Sequence, residues 1–193
     1  MYTWGLCPGV LYEVILDDKH CMKRDGFGHE SPYEGKTNDW ITPLWVIRAL
    51  GPFDLDPCES SHQPWPCAGR GYSKDGLVLP WGGNIWLNPP YGPHTKEWVR
   101  RLVEHGTGIA LIFARVETRL WQDDIFPTAD GYLFPRKRIS FCYPDGRPSR
   151  ASSGAPSALI AWGDENRERL IRAVEEGTIP GAFLGRAFYT VKA

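Results

Sequence analysis

The pattern of apolar and polar positions along the 193 residues changes character near Asp39. Before it, only Val10-Leu11-Tyr12-Glu13-Val14-Ile15-Leu16 is apolar enough for one strand or a short helix. Asp17 to Lys36 is polar and rich in Gly, His and charge, which predicts an N-terminal extension over residues 1–36. From residue 37 onward short apolar runs alternate with amphipathic segments. Thr42-Pro43 predicts a helix start, with Thr42 as N-cap and Pro43 in the first turn, and Gly51-Pro52 stops the helix after Leu50. Phe53-Asp54-Leu55-Asp56 reads as a short strand ending in acid, and residues 57–73 read as irregular. Asn84-Ile85-Trp86-Leu87 is a second buried strand. Thr95 to His105 places Trp98, Leu102 and Val103 on one helical face and ends at Gly106-Thr107-Gly108. Ile109 to Ala114 is a continuous apolar run, as expected of a central parallel strand. A helix over 118–126, strands over 131–134, 138–143 and 157–162, a loop over 144–156 and a charged helix over 165–176 complete the series.

Strands alternating with helices predict an α/β fold with a mostly parallel sheet. In such sheets ligands sit beyond the carboxyl ends of the strands. Asp56 and the tetrapeptide Asn88-Pro89-Pro90-Tyr91 both follow predicted strands, so both are expected on one rim.

Composition narrows the picture. A hydrophobic share of 42% supports one core-forming domain over 37–193. A net charge of -1 argues against coating nucleic acid through a bulk positive field, but leaves room for one local basic face. Five cysteines without a CxxC pair fit reduced thiols in a cytoplasm better than a disulfide framework. No 18-residue apolar run and no signal-peptide pattern is present, so neither a membrane span nor secretion is expected. His20, Cys21 and His29 match no common zinc spacing, and no metal site is expected.

The tetrapeptide carries the most specific chemistry. An exocyclic amine on a nucleobase is a poor nucleophile, because its lone pair is delocalised into the ring. Two acceptors that take both N–H bonds draw the nitrogen towards sp3 geometry. Asn88 offers a side-chain carbonyl, and Pro89 offers a backbone carbonyl with no competing N–H. The paired prolines stiffen the loop, which is positioning rather than acid–base work. Tyr91 offers a flat face for a base turned out of its stack.

At this tetrapeptide the chain resembles the S-adenosylmethionine-dependent amino-methyltransferases, and more closely the small bacteriophage DNA N6-adenine methyltransferases. The resemblance spans roughly Asn38 to Trp162. It rests on Asp39-Trp40-Ile41-Thr42-Pro43, Phe53-Asp54-Leu55-Asp56-Pro57-Cys58, Tyr72 with Asp75-Gly76-Leu77, Trp81 with Ile85 to Tyr91, and Arg138-Ile139-Ser140-Phe141. It implies a Rossmann-like, seven-stranded sheet with a C-terminal antiparallel hairpin. It implies S-adenosylmethionine as cofactor, DNA as partner and the bacterial host cytoplasm as setting. Trp40, Thr42 and Pro43 match the segment against the cofactor's methionine end, and Asp56-Pro57 the acid-containing turn after the first strand. Asp75-Gly76-Leu77 resemble the segment beside the cofactor's adenine. Phe141 matches an aromatic position that sandwiches the target base opposite Tyr91. One departure stands out: the turn Asp56-Pro57-Cys58-Glu59-Ser60 has no glycine where many relatives carry one.

Basic residues gather late in the chain. Arg115, Arg119, Arg136, Lys137, Arg138, Arg147 and Arg150 are the expected phosphate contacts. The loop over 144–156 is the expected sequence reader, since the chain has no length for a separate recognition domain. Cytosine N4, an amide of a protein glutamine or an amine in RNA would be served by the same tetrapeptide chemistry. A DNA-binding relative without catalysis, or a dimer, also fits the sequence.

Overall fold

The computed structural model describes residues 40–149 and 155–186. The expectations for residues 1–36, for His20, Cys21 and His29, and for Arg150 lie outside the described residues. The elements follow in the order α1 (Leu44–Leu50), β1 (Leu55–Asp56), β2 (Arg70–Gly71), β3 (Ile85–Leu87), α2 (Thr95–His105) and β4 (Gly108–Phe113). A short π-helical turn (Leu120–Ile125) comes next, then β5 (Gly131–Pro135), β6 (Ser157–Trp162), α3 (Asp164–Glu175) and β7 (Gly181–Gly185).

The strands form one seven-stranded mixed sheet in the order β2-β1-β3-β4-β6-β5-β7. The expectation of a mostly parallel sheet is corrected here. β1 pairs with β2 and β3, and β3 with β4, in parallel. The β4–β6, β6–β5 and β5–β7 pairs are antiparallel, and together they hold most of the registered residue pairs. The apolar run of β4 therefore has a parallel neighbour on one side and an antiparallel one on the other. It reads as a parallel strand because both its faces are covered, which is what the continuous hydrophobic pattern reports.

The predicted hairpin also differs. Residues 138–143 form no strand, and only Cys142 pairs, with Ile41 and with Pro148. Ile139 and Phe141 are buried by alternation, but they join no ladder of the seven-stranded sheet. The antiparallel edge is made instead by β7, whose Gly181-Ala182-Phe183-Leu184-Gly185 is half exposed and flanked by glycine, a weak strand signal. β2, two residues long, falls inside the stretch read as irregular.

Helices cover both faces. Val46 and Leu50 of α1 and Leu170 and Ala173 of α3 pack on Trp86, Ile109, Leu111 and Leu159. Val99 and Leu102 of α2 and Trp121 and Ile125 of the π turn pack on Leu87, Ala110, Ile112 and Ile160. The alternation within β4, with Ile109 and Leu111 to one side and Ala110 and Ile112 to the other, ties the two layers together.

Local chemistry sets the helix ends. Pro43, not Thr42, caps α1, and no side chain closes that end. Thr42 is buried, and its carbonyl accepts the Trp65 indole N–H at 3.0 Å. α2 ends on Gly106 at φ 82°, a left-handed cap that glycine adopts freely. The helix expected over 118–126 widens into the π turn, in which the Phe126 N–H reaches the Trp121 carbonyl, five residues back. Among the described residues no helix is long and apolar enough to cross a membrane.

Candidate active site

Strand directions bring the predicted site residues to one rim. β1 to β5 all run the same way, as the parallel pairs and the two antiparallel steps through β6 require. Asp56 closes β1, Asn88 follows β3, Arg115 lies just past β4 and Arg136 just past β5. A cleft of about 260 Å³ opens there. Its walls include Trp40, Thr42, Asp56, Pro57, Asp75, Gly76 and the whole of Asn88-Pro89-Pro90-Tyr91. Pro43 and Leu77 do not line it.

The cleft also gathers residues that sequence reasoning did not assign. Cys58, Ser60, Ser61 and Gln63 continue the turn after Asp56, and Ser73, Lys74 and Trp98 face it. Glu59 and Tyr72 line it too. The available signal was continuity: once Asp56-Pro57 is a site turn, the next residues of that turn are wall.

The turn has no glycine of its own, and the close approach is made from the opposite side. A Cβ on buried Gly76 would collide with the Pro57 carbonyl oxygen and come within 3.0 Å of the Trp98 ring. A Cβ on Gly71 would collide with the Glu59 carboxyl group. Asp75, before Gly76, holds a positive φ of 55°, and its carbonyl accepts the Val78 and Leu79 N–H groups. The glycines thus sit across from the acid turn rather than in it.

Burial dominates the electrostatics. Asp56 is 3% exposed, and loss of hydration pushes its carboxyl up to about 7. The Cys58 N–H, donating to Asp56 Oδ1 at 3.1 Å, pulls the other way, and the Glu59 charge adds to the rise. The Gln63 amide lies close enough to favour the charged form of Asp56, yet its buried Nε2 completes no hydrogen bond. Burial also pushes the Cys58 thiol well up, so it stays protonated and donates to the Asn88 carbonyl at 3.2 Å. Asp54 turns outward and accepts the Asn84 N–H at 2.6 Å, a strand-end role.

Asn88 is held in a defined orientation. Its Nδ2 donates to the Trp40 carbonyl at 2.9 Å. Among the described residues its Oδ1 meets only the Tyr91 hydroxyl, at 3.5 Å. The side-chain carbonyl is therefore the weakly engaged end of the amide. Pro89 is buried, and Thr95 Oγ1, at the start of α2, fixes the loop by donating to the Pro90 carbonyl at 2.8 Å.

The aromatic expectation is corrected in part. One face of Tyr91 is stacked on Phe113, with centroids 4.1 Å apart and planes at 22°. Phe141 is 3% exposed and meets Tyr91 edge-on, at 6.1 Å and 75°. The two rings do not face each other across a gap, so they form no sandwich.

The basic residues divide by environment. Arg115 is exposed, its guanidinium 5.9 Å from the Phe113 ring centre. Arg119, Arg136, Lys137 and Arg138 are exposed. Arg147 is tied to Asp145 at 2.6 Å, and its hydrogen bonds hold the Asp145 carboxyl below the ordinary range.

No protein-family model, no curated protein and no solved structure matches the chain.

Proposed function

We propose that this chain transfers the methyl group of S-adenosylmethionine to the N6 amino group of adenine in DNA. One observation carries the reading: Asn88 gives its N–H to the Trp40 carbonyl and keeps its Oδ1 as an acceptor at the cleft, next to a proline that has only a carbonyl to offer. Together they take the two N–H bonds of a bound amine and aim its lone pair. The same-direction strands β1 to β5 with β6 inserted antiparallel are compatible with a Rossmann-like sheet.

The cleft suits the cofactor in its donor set. Asp56, Glu59 and Asp75 supply carboxylates for cationic and hydroxyl groups, and the Gln63 Nε2 lacks a partner. Tyr72 and Trp98 supply flat walls. When bound, the cofactor supplies an electrophilic methyl group. The protein's part is to bind, to orient and to exclude water, and no strong base is called for, because the alkylated amine sheds its proton readily. The basic residues past β4 and β5 suit a phosphate backbone on the same rim.

The test is methylation with labelled cofactor on DNA, RNA and protein, followed by modified-base sequencing of the labelled DNA. Label in N6-methyladenine is expected. Label in cytosine, RNA or protein alone would redirect the reading. Asn88→Ala is expected to lower turnover about 100-fold or more while calorimetry finds cofactor affinity kept. Equal loss of both would make Asn88 structural.

A further inference from the structure

The acceptor end of the cleft needs aromatic faces, and the two residues first expected there supply at most one between them. Tyr91 has one face covered by Phe113 at 4.1 Å. Phe141 is buried and turns an edge to Tyr91. Trp98 lies at the other end, against Gly76 and stacked with Trp81 at 6.4 Å and 22°. Trp40 differs from all of these. It lines the same cleft as Asn88, is 38% exposed and rests on Phe141 at a centroid distance of 6.3 Å. Its carbonyl also accepts the Asn88 Nδ2 at 2.9 Å.

We infer that Trp40 is the stacking platform for the target base, and that Phe141 is the core residue on which this platform rests. The inference builds on the methyl-transfer reading and names the residue that holds its substrate. One tryptophan then serves twice: its indole receives the base, and its backbone carbonyl fixes the amide that receives the base's amine. The base and its acceptor are set by the same residue, so their separation does not depend on loop motion between two elements. Ile41, the next residue, anchors this arrangement. It exchanges both backbone hydrogen bonds with Cys142, at 3.1 and 2.9 Å.

Two measurements test the inference. In the first, oligonucleotides carrying 2-aminopurine in place of adenine are titrated with wild-type protein and with Trp40→Leu. Stacking on the indole is expected to quench the probe, and Trp40→Leu to abolish that quenching. No quenching by wild-type protein overturns the platform, whatever the chain methylates. In the second, turnover and cofactor affinity are compared on the DNA methylated by the wild type. Trp40→Leu is expected to lose about ten- to 100-fold in kcat/KM for DNA, the range for one lost base stack. Its cofactor affinity is expected to stay within about twofold, and Trp40→Phe to recover most of the loss. Phe141→Leu is expected to lower Tm and retain quenching. A Trp40→Leu defect confined to cofactor affinity would make Trp40 a cofactor wall and overturn the inference. Failure of methylation with quenching intact would instead strike the reading of the reaction.

Discussion

Burial holds the Asp56 carboxyl up to about 7, and this has two opposite consequences. The folded-state value lies above the unfolded one, so the folded chain binds the extra proton between about pH 4 and pH 7. This group's contribution to stability therefore falls as pH rises through that window and is flat above it. A bound cation favours the charged form, so affinity moves the other way. Calorimetry with S-adenosylmethionine is expected to show binding tightening by up to about tenfold per pH unit towards pH 7 and levelling beyond. Asp56→Asn is expected to remove the pH dependence and most of the affinity, and to raise Tm at pH 8 more than at pH 5. A pH-independent affinity in the wild type would mean Asp56 does not face the cofactor's charge. Residue chemistry of this kind was readable in the sequence only as far as Asp56 being an acid at a strand end. Its burial depends on Cys58, Glu59 and Gln63 folding back over it, which spacing does not show.

Elements with their own periodicity were readable almost to the residue. α2 begins at Thr95 and ends at Gly106 as the pattern and the glycine predict, and α3 starts one residue before the charged run. Elements that exist through their neighbours were not. β2 and β7 have little pattern of their own and form because β1 and β5 offer them an edge. Residues 138–143 have strand pattern, yet among the described residues they pair only through the isolated bridges at Cys142. The joint between α1 and α3 was equally hidden, because it is made by a charge. Arg169, 9% exposed, donates to the Leu50 carbonyl at 2.9 Å and the Pro52 carbonyl at 2.6 Å, and its second nitrogen meets Glu165 at 2.6 Å. A guanidinium at the carboxyl end of α1 satisfies carbonyls the helix leaves open and opposes its dipole. Arg169→Met keeps the stem and loses the donors. It is expected to cost about 3 kcal/mol, or about 10 °C in Tm, measured by calorimetric melting. Glu165→Gln, at a residue 78% exposed, is expected to change little.

At the scale of the whole molecule, the net charge is -1, yet strand direction brings several basic residues to the rim that holds Asn88. Arg115, Arg119, Arg136 and Lys137 follow the ends of β4 and β5, on the side where Asn88 lies. Their contribution to DNA binding is expected in the salt dependence. Replacing each by Gln should weaken binding on all sequences alike and reduce the slope of log K against log salt by about 0.9 per lost phosphate contact. An unchanged slope in the fourfold variant would place DNA elsewhere. The two halves of the sheet that carry this rim are unequal. β4 and β6 share a ladder of six residue pairs, whereas β1 and β2 are two residues each and β1 meets β3 at one registered pair. The rungs are fewest where the cleft is. That half holds its shape through side chains such as Trp81, whose indole N–H reaches the Gly76 carbonyl at 2.7 Å, and through the packing of Gly76 on Pro57. Local opening there costs less than opening the antiparallel half, so amide hydrogens around the cleft exchange through small fluctuations while those of β4 await global unfolding. Any molecule that fits the cleft therefore acts as the missing cross-links of the weaker half, and its binding energy reappears as cooperativity of the whole sheet.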